Sequence, residues 1–471
     1  MRTARAALAL FVCLLLCLVS GCAPTIHPPG TLADDHPCTA GDVGADNSRM
    51  TCATLTVPLD HGLFSQVRVP GQLALPVAMT GNPTAPRGVL VWLVGGPGSP
   101  GAAMAAEIAA QFDPAVLREY RLVVMSGRGT GPTALRCAGL QRQLGDSDLA
   151  VPTRRAVQRC ADTVGPDRRF YSSASSVEDL ELLRRALGAR TVSVAGASYG
   201  TYLAERYALT HPDHVARLLL DSAVPHDGFD FFTNVEVIRQ ATTLLRTVCR
   251  LDRCAGDPVA DLAQLVRQRR DGPALLTLVA ETAPARFAEL GTTLHDAATG
   301  NPGRLDGRLA TAARDRRAPA DELSQGLHTI AQCQDLPTPW GNGAAALAGR
   351  DSAATASVGQ IDPARLYPFD ADTVRRSGPM STCEWWPPTP VPPAPRLSVL
   401  PPVPTLLLAG DHDLSTPLAW TEHEVALSSP GAQLVIVPGS GHITQDAANP
   451  PAGRQAATRF LLAGPPGVSP P

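Results

Sequence analysis

Three residues of this 471-residue chain have the types and surroundings that nucleophilic catalysis needs. Ser198 stands in Gly196-Ala197-Ser198-Tyr199-Gly200, directly after an apolar run at 191–195 and before the helix-like stretch 201–207. A serine hydroxyl is a weak nucleophile until a base takes its proton, and that base works best with a carboxylate behind it. His442 follows Gly439-Ser440-Gly441, just past the apolar run 433–437, and is the best placed of the 11 histidines to be that base. Asp413 lies in Gly410-Asp411-His412-Asp413, just after the run 405–409. It is favoured as the acid over Asp411 in the same loop and over Asp221 at the end of an earlier run. An acyl transfer also needs N–H donors for the developing oxyanion. The residue after the nucleophile, Tyr199, supplies one backbone N–H, and the Gly96 N–H of Val94-Gly95-Gly96-Pro97-Gly98 is the expected second.

These residues need strands that end where they begin. Eight runs read as strands: 53–57, 72–79, 88–94, 120–125, 191–195, 217–221, 405–409 and 433–437. From residue 88 onward they are short and almost unbroken in apolar character, as expected of strands covered on both faces. Helical stretches such as 176–187 and 200–209 separate several of them, which argues for a mostly parallel sheet with helices on both sides. A serine on a strand-to-helix turn, flanked by small residues and followed in the chain by acid and then histidine, resembles the nucleophile elbow of the α/β-hydrolases. The expected fold is therefore α/β: an α/β-hydrolase core with a mostly parallel eight-stranded sheet.

Between Asp221 and Val403 no strand is evident, and several helical patterns recur. Val235, Ile238, Ala241, Leu245 and Val248 form one apolar stripe; 260–270, 274–282 and 320–332 read similarly. So long a stretch is not a structureless loop, and it reads as a helical cap inserted in the core. The Pro-rich run from Trp386 to Pro393 reads as its semi-rigid return. The expected organisation is a leader at 1–21, a tether at 22–37, core at 38–225, cap at 226–398, core at 399–462 and a disordered tail at 463–471.

The formal net charge is −3, and all 40 Lys-or-Arg positions are arginine. No basic block is present, which argues against nucleic acid as a partner. Arg2 and Arg5 precede an apolar run at 6–19 that is too short for an ordinary membrane span and has the layout of a secretory signal. It ends in Leu18-Val19-Ser20-Gly21-Cys22, which resembles a bacterial lipobox and implies a lipid on Cys22 and attachment to the outer face of the cytoplasmic membrane. The alternative is an ordinary secretory signal. With Cys13, Cys17 and Cys22 set aside, eight cysteines remain for an oxidising compartment, where disulfides are the default. Nearest-neighbour pairing gives Cys38–Cys52, Cys137–Cys160, Cys249–Cys254 and Cys333–Cys383. No Cys-x-x-Cys stands near a histidine cluster, so no structural zinc, other metal or cofactor is expected.

The motifs at Ser198, Gly95–Gly98, Arg128-Gly129-Thr130-Gly131, Asp413-Leu414-Ser415-Thr416-Pro417 and Gly441-His442 are together similar to one group. It is the secreted tripeptidyl-aminopeptidase branch of the prolyl-aminopeptidase-like serine peptidases of actinobacteria. Thr56–Asp60, Cys333-Gln334-Asp335 and Cys383-Glu384-Trp385-Trp386-Pro387 resemble its flanking motifs, so the similarity spans about 38 to 462. It implies exopeptidase action on the N-terminal end of short peptides, with the cap closing over the cleft; the expected assembly is a monomer. Two positions depart from the group: Ser126 where an Asp is usual before the Arg-Gly, and Val94 where His or Pro is usual before Gly-Gly-Pro-Gly. An aminopeptidase needs acceptors for a free ammonium, and Glu236, Asp335 and Glu384 are candidates in the cap. Trp340, Trp385 and Trp386 suit either an apolar subsite or core packing. Elbow, acid and base serve a carboxylesterase of the same fold equally well, and a catalytically silent surface peptide-binding lipoprotein is the third reading.

Overall fold

The computed structural model describes residues 27–45, 49–390 and 392–464. The leader, Cys22 and all but the first two residues of the expected tail lie outside them. A nine-stranded sheet forms the centre, in the order β1-β2-β3-β5-β4-β6-β7-β8-β9. Its strands are β1 (Leu32–Pro37), β2 (Met50–Pro58), β3 (Gln72–Thr80), β4 (Val89–Leu93), β5 (Arg121–Met125), β6 (Val192–Ala197), β7 (Val215–Asp221), β8 (Thr405–Gly410) and β9 (Gln433–Val437). The pairs from β1 to β5 through β2 and β3 are antiparallel. From β5 across β4, β6, β7 and β8 to β9 every pair is parallel.

The parallel part has a dry core on each face. Leu90 and Trp92 of β4, Leu122 and Val124 of β5, and Leu219 of β7 point to one side. Val91, Leu93, Val123, Met125, Leu218 and Leu220 point to the other. This is the period-two alternation of a pleated strand buried twice. Helix Ala452–Leu462 covers the first face, and helices Ser173–Ala186 and Tyr199–Thr210 cover the second. The chain leaves β4 toward β5 on one side and returns past it to β6 on the other. The C-terminal ends of β4 and β6 thus flank a topological switch point, where doubly wound sheets place their ligands.

Eight strands were expected and all eight are present; the ninth, β1, falls in the segment expected to be a tether. Its side chains are mostly exposed and include Asp34, Asp35 and His36, so no apolar alternation marks it in the sequence. What holds it is local: Cys38 N donates to Met50 O at 3.0 Å, and a disulfide joins Cys38 to Cys52 on β2. The acidic outer edge also discourages a further chain from pairing there.

The segment between β7 and β8 is helical, with Val235–Leu251, Pro258–Arg269, Gly272–Ala280, Phe287–Ala298 and Gln325–Asp335 among its helices. Val235, Ile238, Ala241 and Leu245 of the stripe are buried, against Leu262, Leu275, Leu290 and Leu294. Helices Ala138–Leu144 and Arg154–Val164, expected in the core, share this apolar cluster through Leu140, Leu144, Val157 and Cys160. Gln141 fastens them, donating from Nε2 to Ala318 O at 2.6 Å and accepting from Gln325 N at 3.1 Å. Two stretches far apart in the chain therefore build one roof.

Four disulfides join Cys38–Cys52, Cys137–Cys160, Cys249–Cys254 and Cys333–Cys383. The last closes 50 residues and ties helix Gln325–Asp335 to helix Gly378–Cys383. Chain-entropy reasoning gives such a loop about 4 kcal/mol. Cys333→Ser with Cys383→Ser should lower unfolding free energy by roughly that amount in urea titrations, while Cys249→Ser with Cys254→Ser, closing five residues, should cost clearly less.

Candidate active site

Ser198 sits between β6 and helix Tyr199–Thr210 with φ 55° and ψ −132°. A non-glycine residue rarely adopts this conformation, and holding it costs on the order of 1–3 kcal/mol. Its neighbours explain how the turn closes. A Cβ on Gly196 would fall 2.3 Å from Gly200 O, and one on Gly200 would fall 2.1 Å from Leu93 O. Only glycine fits at either position, so the small residues are demanded by contact between strand, helix and β4. Tyr199 is the first residue of the helix, and its N–H is one of the four that have no partner inside a helix.

The loop after β4 crosses the same place. A Cβ on Gly95 would lie 3.1 Å from Ser198 Oγ, so the Gly95–Gly96 backbone passes directly beside the hydroxyl. The cap holds this loop. His328 on helix Gln325–Asp335 donates from Nδ1 to Pro97 O at 3.0 Å, and Ser324 N donates to Gly98 O at 3.0 Å. His328 was not evident from sequence, because nothing near it in the chain marks it as facing the loop.

At the ends of β8 and β9, His442 Nδ1 and Asp413 Oδ2 are 2.9 Å apart. Asp413 is fully buried; its Oδ1 accepts from Ser415 N and Thr416 N, both at 2.9 Å, and its Oδ2 from Thr416 Oγ1 at 2.8 Å. Burial alone would raise the Asp413 carboxyl; the adjacent His442 and these hydrogen bonds outweigh it and hold the group below the usual range. For His442 the order of effects is the same with opposite signs. Burial lowers it, while Asp413, then Asp221 and Asp148, raise it, and the net shift is upward.

Asp221, weighed above as an alternative acid, holds the histidine's loop. It is buried at the end of β7 and accepts from Thr444 N at 2.9 Å and Gln445 N at 3.0 Å. Beside it, Ser222 Oγ accepts from Ile443 N at 2.9 Å. Asp411 accepts from Gly439 N at 2.7 Å and braces the β9 turn.

A cavity of about 150 Å³ opens over Ser198, with Gly96, Pro97 and Tyr199 beside it. Val224, Phe231, Val237, Leu414 and Trp420 give it apolar walls, and Asp146, Asp148 and Glu281 line it with carboxylates. Glu281 accepts from Ser147 Oγ and pairs with Arg316 at 3.3 Å; burial leads its upward shift. Asp148 meets His328 Nε2 at 3.1 Å.

The three cap carboxylates singled out from sequence stand elsewhere. Glu236 is paired with Arg239 and Arg365, and Glu384 with Arg375. Asp335 is under the elbow: its Oδ2 accepts from Ser173 N at 2.7 Å and Tyr199 Oη at 3.4 Å, and burial pushes it up to about 7. None of the three lines the Ser198 cavity. Of the tryptophans, Trp386 is core, Trp385 lies under Arg154 and Trp340 under Arg350. Trp420 is the one on the cavity wall. At the first departure noted above, Arg128 pairs bidentately with Asp179, at 2.7 and 2.6 Å, and Ser126 Oγ accepts from Ala102 N.

The strand order, the elbow at the switch point and the Asp–His pair after the last two strands define an α/β-hydrolase. Residues 88–244 match the family model described as alpha/beta hydrolase fold, and residues 367–467 match the one described as TAP-like protein. The chain thus has the α/β-hydrolase fold, and its C-terminal part is similar to TAP-like proteins. It is 27% identical over 191 residues to a tripeptidyl aminopeptidase of Streptomyces coelicolor, a match covering 37% of this chain and 35% of that protein. It is 28% identical over 193 residues to serine protease Hip1 of Mycobacterium tuberculosis, covering 37% and 36%. A probable proline iminopeptidase of Streptomyces coelicolor is 34% identical over 123 residues, covering 26% and 30%. The chain spans about a third of the length of these curated relatives.

Proposed function

We propose that this chain is an exported serine aminopeptidase that cleaves near the free N-terminus of short peptides through an acyl-enzyme. Ser198 attacks the scissile carbonyl, His442 takes the proton and returns it to the leaving amine, and Asp413 orients the imidazole. The N–H groups of Tyr199 and Gly96 receive the oxyanion. The observation that carries the aminopeptidase reading is the carboxylate wall of the Ser198 cavity, formed by Asp146, Asp148 and Glu281. An ammonium group in a partly desolvated cavity needs charged acceptors, and a blocked or ester substrate has no use for three of them. The named relatives support a peptidase, and the di- or tripeptide product size is part of the proposal. The four disulfides, the leader pattern and Cys22 support export with a lipid anchor. No helix among the described residues is long and apolar enough to cross a membrane.

Fluorogenic mono-, di- and tripeptide substrates set against short-chain nitrophenyl esters test this reading; turnover of esters alone would replace it with a carboxylesterase. Glu281→Gln together with Asp146→Asn should cost about 10–100-fold in kcat/KM on free-amine peptides, the worth of charge-assisted hydrogen bonds, and little on acetylated ones.

The pH profile follows from the sign of the histidine shift. A base must be neutral to act, and His442 stays protonated to higher pH than its ordinary 6.5. kcat/KM should therefore rise with pH along a limb centred above that value. Asp148→Asn removes one of the charges that raise His442 and should move the limb to lower pH.

A further inference from the structure

Behind the nucleophile's helix, three residues from separate elements converge without an adequate cation. Glu205 lies seven residues after Ser198 on helix Tyr199–Thr210, His226 follows β7 where the chain enters the cap, and Glu424 lies on helix Leu418–Ala426 beyond the Asp413 loop. Glu205 and Glu424 are fully buried. Oxygen and nitrogen atoms from the three lie within 4.8 Å of one another.

Neither oxygen of Glu205 has a hydrogen-bond partner among the described residues. No arginine pairs with Glu205 or Glu424 among them either; Glu424 meets only His226 as a charged partner, at 2.8 Å. Asp227 nearby is taken by His423 at 2.8 Å. Two buried carboxylates facing one imidazole leave negative charge uncompensated, and a buried carboxylate with no partner is among the costliest groups a fold can hold.

The imidazole is oriented as a ligand would be. His226 Nε2 lies 3.4 Å from Ser398 O, a carbonyl that can only accept. Nε2 donates to that carbonyl, and Nδ1, at hydrogen-bond distance from a carboxylate, donates to Glu424; a cation would take the place of that second proton. A backbone carbonyl fixing the far nitrogen is the usual outer support of a metal-binding histidine. Nδ1 is 2.8 and 3.0 Å from the two oxygens of Glu424. Two ligands bound tetrahedrally at about 2.0–2.2 Å stand roughly 3.4 Å apart, so the pair would open by about half an ångström to take an ion.

We propose that Glu205, His226 and Glu424 form a buried site for a divalent cation of the zinc class. One imidazole and two carboxylates suit a borderline cation better than calcium, which takes oxygen ligands throughout. The ion would pin together the helix that begins at Ser198, the point where the cap departs and the helix that follows Asp413. Its role is structural, with no part in the reaction, and it stands whether or not the proposed peptidase activity does.

The test uses the full chain, stripped with a chelator and titrated with Zn2+ against a chromophoric competitor. One equivalent should bind, with a rise of several degrees in Tm. Glu205→Gln should weaken binding by more than about 100-fold, beyond the loss caused by an outer-shell partner, and should abolish the zinc-dependent Tm shift. X-ray absorption of the wild-type zinc complex, which needs no variant to fold, should report nitrogen and oxygen neighbours and no sulfur. Absence of zinc binding in protein that still reacts with a fluorophosphonate would overturn the site and leave a proton on Glu205 in place of the ion. Equal affinity in Glu205→Gln, or sulfur in the absorption spectrum, would overturn it as well.

Discussion

Ser198→Ala is expected to reduce kcat by about 10⁶-fold, the scale on which comparable triads fail when the nucleophile is removed. The substitution deletes one oxygen and leaves the Cβ that the elbow already accommodates beside Gly95. The turn, helix Tyr199–Thr210 and the two N–H donors remain, so the variant should fold with nearly unchanged Tm. What it loses is the hydroxyl placed beside the Gly95–Gly96 loop at the N-terminus of that helix. Reaction with a fluorophosphonate should vanish in parallel, and persistent labelling would move the nucleophile to another residue.

Asp413→Asn should lower kcat by about 10⁴-fold with far less effect on KM. The physical reason lies in the hydrogen bonds around the carboxylate. Ser415 N and Thr416 N require an acceptor at Oδ1, so an asparagine will keep its oxygen there. Its NH₂ group then occupies the place of Oδ2, facing His442 Nδ1 at the 2.9 Å position. A donor there selects the imidazole tautomer with the proton on Nε2, which cannot accept one from serine. A comparison of kcat and KM with the rate of fluorophosphonate labelling checks this; a variant with near-wild-type labelling would return the acid's role to another residue. Asp221 is a poor alternative, because its oxygens accept from Thr444 and Gln445, while it is Asp413 that meets His442 Nδ1 at 2.9 Å.

The sequence carries the core and the site's chain order because both rest on short-range patterns. A doubly buried strand must be apolar along its whole length, and a crowded elbow must have glycine at 196 and 200; each leaves a local mark. The edge strand β1 leaves none, since charged residues there suit an exposed edge and its pairing depends on a disulfide. The carboxylates that line the Ser198 cavity are unreadable for a different reason. Asp146 and Glu281 meet only after two helical insertions pack together, and neither has a distinctive neighbour in sequence. Glu236 and Glu384, expected there as cap carboxylates able to hold an ammonium, are paired with arginines away from the Ser198 cavity. Asp335, expected for the same reason, sits one layer beneath, where it ties the cap to Ser173 and Tyr199. Glu205 is of the same kind: on its helix it reads as an ordinary charge, and only the arrival of Glu424 makes its burial conspicuous.

One pair of substrates on the wild-type enzyme decides whether the carboxylate wall makes this serine hydrolase an aminopeptidase. A peptide anilide with a free N-terminus and its N-acetylated twin differ only in the ammonium that Asp146, Asp148 and Glu281 would hold. kcat/KM should be at least about 100-fold higher for the free amine, since only the ammonium gains charge-assisted hydrogen bonds to the carboxylates. Equal kcat/KM for the two, or preference for the acetylated form, would contradict it.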